Sequence, residues 1–149
     1  MYRYALVLPA LFFLAIPVVG QQPTSNATGQ ESSPNATIPV EAAKEHNPVK
    51  SSPESIAHAK KWWNLDCAMC HGASGDGKGD VAKDMKLNTA DFTNANTLKD
   101  RTDGEIYYII KNGHNDMPAE GPRLKTEEGW DLVNYVRSLA KGKDSETKQ

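Results

Sequence analysis

Cys67-Ala68-Met69-Cys70-His71 is the stretch on which the reading of this chain turns. Two thiols stand three positions apart and an imidazole follows the second directly. That spacing is the attachment pattern of a c-type haem. The thiols add across the two vinyl groups of one porphyrin, so they must lie a fixed short distance apart. Two intervening residues in a tight turn at a helix end set that distance. The next side chain then projects beneath the ring, where its imidazole can bind iron as the proximal ligand. Three plainer readings compete. A redox-active dithiol of the thioredoxin kind needs a βαβ context, and no strand pattern is visible. Half a zinc site lacks a second Cys/His pair at suitable spacing. A structural disulfide, the ordinary use of two cysteines in an exported chain, gives His71 no role. The expected cofactor is one covalent haem c on Cys67 and Cys70, with His71 on the iron.

A haem held by one histidine leaves a second axial position. The candidates are Met117, Met85, His114, His58 and His46; Met69 lies inside the attachment loop and cannot reach the opposite face. Met117 is the best placed, because it follows a helix stop at Gly113 and Pro118 stiffens the chain just beyond it. A thioether on a stiff turn suits a distal ligand. Its soft sulfur favours ferrous iron and raises the reduction potential relative to two histidines. The competing role for Met117, and the expected role for Met85, is to fill a gap in the core. His114 on the iron would give a bis-histidine haem. His58 reads as a solvated helix residue, and His46 falls in a polar stretch.

Outward from the motif, four helical segments can be read and no segment alternates with period two. Ser52 or Ser55 can cap a first helix that carries Ile56, Ala59 and Trp63 and ends close to Cys67. Val81 to Lys86 fits a short second helix. Thr102-Asp103-Gly104-Glu105 is a capping box, and the helix it opens sets Ile106, Ile109 and Ile110 on one face before Asn112-Gly113 stops it. Thr126 is the expected cap of a last helix with Trp130, Val133, Val136 and Leu139 at helical spacing. The fold class is all-α, in a domain placed at 54–141. Such a domain is near the size at which a core alone gives marginal stability, and a haem would add apolar contact.

The ends read differently. Residues 1–20 run from Arg3 through an apolar stretch to Val18 and Gly20, the order of a secretory signal. The run is short for a spanning helix and is interrupted by Pro9 and Pro17, so an uncleaved anchor is the second reading. Either way the remainder is exported, periplasmic or beyond, and anchored if the segment is retained. Residues 21–53 are rich in Pro, Ser, Thr, Asn and Gln and read as a flexible tether. They include two short matches to a glycosylation acceptor, at Asn26 and Asn35. Residues 142–149 read as a polar tail. Without residues 1–20, which hold Arg3 and no acid, 16 basic residues face 19 acidic ones, a net charge of −3. That balance, with no basic cluster, argues against nucleic acid and anionic membrane surfaces as partners.

Gly72, Gly75, Gly77 and Gly79 follow the motif. Gly72, Gly77 and Lys78 satisfy most of a phosphate-loop pattern, but Gly79 stands where a hydroxyl should hold magnesium and no strand precedes it. The glycines are expected instead to let the backbone pass close to a porphyrin. Tyr107, Tyr108 and Arg101 are candidates to hydrogen-bond its propionates.

Cys67 to Gly72, the Gly75-Asp76-Gly77-Lys78-Gly79 run, Asn112-Gly113 leading to Met117-Pro118, and a final helix with Trp130 and Tyr135 together resemble the class I cytochromes c. The resemblance covers about Ser55 to Ala140. It implies a small cytochrome c-like domain of about four helices wrapped round one haem, with the first and last helices crossing. It also implies Cys67 and Cys70 as attachment points, His71 as proximal and Met117 as distal ligand. The Trp62-Trp63 pair departs from the family's pattern and bears on how those helices cross. The implied function is single-electron transfer, with redox proteins such as a membrane oxidase, reductase or dehydrogenase as partners and no catalysis by the chain itself. Two rivals stand beside it: a haem enzyme or gas sensor with an open sixth position, and an electron-entry subunit of a larger oxidase or dehydrogenase.

Overall fold

A computed structural model describes residues 37–146 of the chain. The signal-like segment, the start of the expected tether, Asn26 and Asn35 lie outside them. Among the described residues no strand forms. The helices are α1 (Pro53–Trp62), α2 (Ala68–His71), α3 (Asp80–Met85), α4 (Asp103–Asn112) and α5 (Thr126–Glu146). Ser52 caps α1 by accepting from the Ser55 N–H at 3.2 Å, and Pro53, which has no N–H to leave unpaired, opens it. A π turn, Trp63–Cys67, joins α1 to α2 without leaving helical backbone. Its wider turn shifts the register, so that Cys67, Cys70 and His71 share one side of the following turn at i, i+3 and i+4.

The first and last helices pack together as expected, and α4 lies beside α5. Trp63 is 1% exposed between them and Val133 fully buried. The Trp62-Trp63 pair fits this arrangement: Trp63 turns inward and donates its indole N–H to the Gly72 carbonyl at 3.1 Å, while Trp62 packs half-buried on the core. Tyr107 of α4 stacks on Trp130 of α5 at 4.0 Å and 4°. Asp131, only 4% exposed on α5, receives the His58 imidazole of α1 at 2.7 Å. His58 therefore joins the helix pair rather than facing solvent alone.

Three expectations are corrected. From Ala42 onward the stretch assigned to a flexible tether is packed. A short 3₁₀ turn, Ala42–Lys44, lies over α4, where a side chain at Gly104 would overlap the Ala42 carbonyl. Asn47 then reaches the Trp130 carbonyl and the Asn134 side chain, and Asn134 donates back to the Val49 carbonyl and Ser55. Hydrogen bonds to a buried asparagine hold this strap, and Ala42 and Val49 add apolar contact. Second, Thr126 is the first helical residue of α5 and Lys125 occupies the cap position, its N–H donating to the Glu128 carboxylate at 2.8 Å. Third, α5 continues to Glu146, into the expected polar tail.

The Thr102 capping box forms as read. Its hydroxyl accepts from the Glu105 N–H at 3.2 Å, and Glu105 accepts from the Thr102 N–H at 2.8 Å. That second bond, from the Thr102 amide, is the main reason the Glu105 carboxyl is held below its ordinary value of 4.5, with Arg101 helping. A carboxyl lowered by folding stabilises the fold above its unfolded value and loses that contribution as pH falls through the folded one. Thr102→Ala should therefore lower stability at neutral pH by about 1 kcal/mol in urea denaturation. Glu105→Gln, which keeps an acceptor but cannot ionise, should flatten the loss of stability below about pH 4.5. An unchanged acid limb in that variant would contradict the assignment.

Candidate functional site

The site is built on the helix end at Cys67–His71. Gly72, at φ 78°, terminates α2 in a backbone conformation that side chains disfavour. The chain then folds back on the motif: the Gly77 N–H donates to the His71 carbonyl at 2.9 Å and the Gly79 N–H to the Cys70 carbonyl at 3.1 Å. A Cβ on Gly79 would overlap the Met69 carbonyl, and one on Gly77 would come within 2.6 Å of the Thr89 carbonyl. Gly77 and Gly79 admit returning protein backbone, and neither is among the residues that line the cavity. They hold the motif's carbonyls in place, which orients Cys67, Cys70 and His71 from behind.

In front of the motif lies a cavity of about 750 Å³, within the range of small-molecule and cofactor sites. Cys67, Cys70 and His71 line one part of its wall, and Ile106, Ile109 and Ile110 of α4 line another. Leu132 and Val136, on the side of α5 away from the strap, complete an apolar surround. The two cysteines are free and half-buried. Burial pushes the Cys67 thiol up to about 12, with Glu120 and Asp66 adding to the rise and Arg123 opposing it. A redox-active dithiol needs the reverse, a depressed value. Burial likewise holds the His71 imidazole below its usual range, which keeps it neutral at pH 7, the form that binds a metal. Its ring is fixed by aromatic contact, stacked on Phe92 at 5.0 Å and tilted against Trp63 at 5.7 Å. His71 Nδ1 is buried with no hydrogen-bond partner.

Of the candidates for the opposite ligand, the structure brings two to the cavity wall, Met117 and His114. An isolated bridge pairs them: the His114 N–H donates to the Met117 carbonyl at 3.0 Å, and the Met117 N–H to the His114 carbonyl at 2.9 Å. The tight turn between them passes through Asn115 at φ 51°. Met117 also packs against the main core. His114 Nδ1 is buried without a partner, like that of His71. Met85 is 65% exposed and is no core residue; His46 is exposed and His58 engaged elsewhere. Arg101 reaches the cavity, beside its ion pair with Glu105 at 3.3 Å. Tyr107 and Tyr108 are absent from the wall; Tyr107 is spent on its stack with Trp130. Phe92 is a wall residue the sequence did not flag, since a lone aromatic in a polar stretch carries no periodic signal.

A thiol pair, an imidazole and a thioether round one apolar cavity suit an iron porphyrin. Among the described residues no cluster of three or more His, Cys, Asp or Glu side chains could hold a bare metal ion.

Comparison with known proteins agrees. The family model described as Cytochrome c matches residues 56–140. Over 83 residues, 56% of this chain, the sequence is 35% identical to cytochrome c6 of Pyropia tenera, covering 91% of that protein. It is 31% identical to cytochrome c6 of Bumilleriopsis filiformis, covering 90% of it. Among solved structures, the chain is similar to one from the reducing HAO-like protein complex of Kuenenia stuttgartiensis, with a TM-score of 0.55 and 28% identity. That match covers 62% of this chain and 46% of the other.

Proposed function

Because the chain belongs to the cytochrome c family, we propose that it carries single electrons on one covalent haem c, with Cys67 and Cys70 as thioether anchors and His71 and Met117 as axial ligands. The observation that carries this reading is that Met117 and the Cys67–His71 turn line one cavity. Bound there, the haem supplies an iron that alternates between ferric and ferrous states. The residues do the rest. Cys67 and Cys70 would anchor the group at the helix end, and the imidazole of His71, held by Phe92 and Trp63, would bind its iron. The soft sulfur of Met117 favours the reduced state, as do the isoleucines of α4, which keep water from the charge. His71 and Met117 would between them occupy the donor positions of the iron, which would leave the chain no substrate site there. The chain is then a carrier and not itself an enzyme.

The reduced protein should bind carbon monoxide slowly or hardly at all. Rapid, tight binding seen by stopped-flow absorbance would overturn the carrier in favour of a haem enzyme or gas sensor with an open position.

The likeness to a chain of the HAO-like complex favours a second reading, an electron-entry subunit docked on a larger oxidoreductase. Redox partner proteins such as a membrane oxidase, reductase or dehydrogenase are proposed in either case. The order of residues 1–20 supports export, with a membrane tether if that segment is retained. No helix among the described residues is long and apolar enough to cross a membrane. Co-purification with a membrane complex separates the subunit from the free shuttle.

A further inference from the structure

The loop from Gly113 to Lys125 carries Met117, and its backbone hydrogen bonds run back to α4 or stay within the loop: Glu120 to Ile110, Gly121 to Lys111, Arg123 and Leu124 to Glu120. Arg123 makes a link of another kind. Its guanidinium donates to Asp66 at 3.0 Å, across 57 residues of sequence, and to Glu120 of its own loop. Asp66 immediately precedes Cys67, and all three charged residues line the cavity. The same three are the charges that act most on the Cys67 thiol. One guanidinium thus joins the loop bearing the distal ligand to the turn bearing the thioether anchor. Arginine suits this because its planar fork engages two carboxylates at once, which a lysine ammonium does less well.

We infer that Arg123 is a positioning residue: with Asp66 and Glu120 it latches the Met117 loop over the haem and so sets how readily the Met117 sulfur leaves the iron. The inference rests on the proposed His71/Met117 ligation. The side chain of Arg123 is 53% exposed, so the latch contributes little to global stability. Its effect is local, on the opening of one loop, where a small free energy changes the open population directly.

The test uses the full haem-loaded protein in its oxidised form, with excess imidazole as a probe that can bind only when Met117 has left. Arg123→Gln and Asp66→Asn should each raise the rate of imidazole binding about fivefold. The double variant should be no faster than either single one, and Arg123→Lys should recover part of the loss. High salt should speed the wild-type protein towards the variants. The midpoint potential separates a latch from a bare charge effect. Arg123→Gln removes a cation and should lower it, Asp66→Asn removes an anion and should raise it, yet both should speed imidazole binding. Wild-type rates in both single variants, or strictly additive rates in the double, would overturn the latch alone. A wild-type protein that takes imidazole without delay and lacks a sulfur-to-iron absorption band would overturn the ligation, and the latch with it.

Discussion

Substituting both Cys67 and Cys70 with alanine leaves a chain without covalent haem and without a cooperative thermal transition. The expectation follows from the size of the cavity. Its volume of about 750 Å³ sits in a domain of fewer than a hundred residues, bounded by Ile106, Ile110, Leu132 and Val136. Without the haem these apolar side chains face water, and the burial they lose is large against the stability of about 5–15 kcal/mol of a small domain. Two sulfur atoms are all the substitution removes; the effect comes from the group they hold. Circular dichroism should show a broad, shallow melt in the variant. A sharp transition of normal enthalpy would mean that the helices close on themselves and that the haem is no part of the core.

Met117→Ala should abolish the sulfur-to-iron absorption band of the oxidised protein and lower its midpoint potential. Axial ligation and its surroundings move haem potentials over about 0.8 V, and loss of one thioether ligand should account for on the order of 0.1–0.2 V of that range. The carbon monoxide response tells what takes the vacated position. Rapid binding means it stays open. A lowered potential with binding still slow means that another donor has taken the position, and His114 stands on the same wall. An unchanged potential and spectrum would show that Met117 was never a ligand.

How much of this was legible in the sequence depended on range. The Thr102 capping box is a local pattern whose residues lie within a few positions of one another, and it forms as read; the Cys67–His71 motif is as local, and the structure sets it at a helix end on the cavity wall. The helical faces were legible because Ile106, Ile109 and Ile110, or Trp130 and Val133, repeat with the helix. The strap was not, because composition reports burial by apolar residues. Residues 42–52 are also held by Asn47 and Asn134, 87 positions apart. The same blindness to range hid Phe92, Arg123 and Asp66. The glycines were seen but not their neighbours: that Gly79 is crowded by Met69, and Gly77 by Thr89, depends on where the chain returns. Thr126 lost the cap to Lys125 because Glu128 reaches back to the earlier N–H.

The central claim, thioether attachment of one porphyrin to Cys67 and Cys70, is tested most directly on the purified chain expressed with c-type maturation machinery. The measurement is the reduced pyridine spectrum of the denatured protein, taken beside its intact mass. The account predicts a haem c spectrum that survives denaturation and a mass equal to the polypeptide plus one haem. A colourless chain at the mass of its amino acids alone would contradict it.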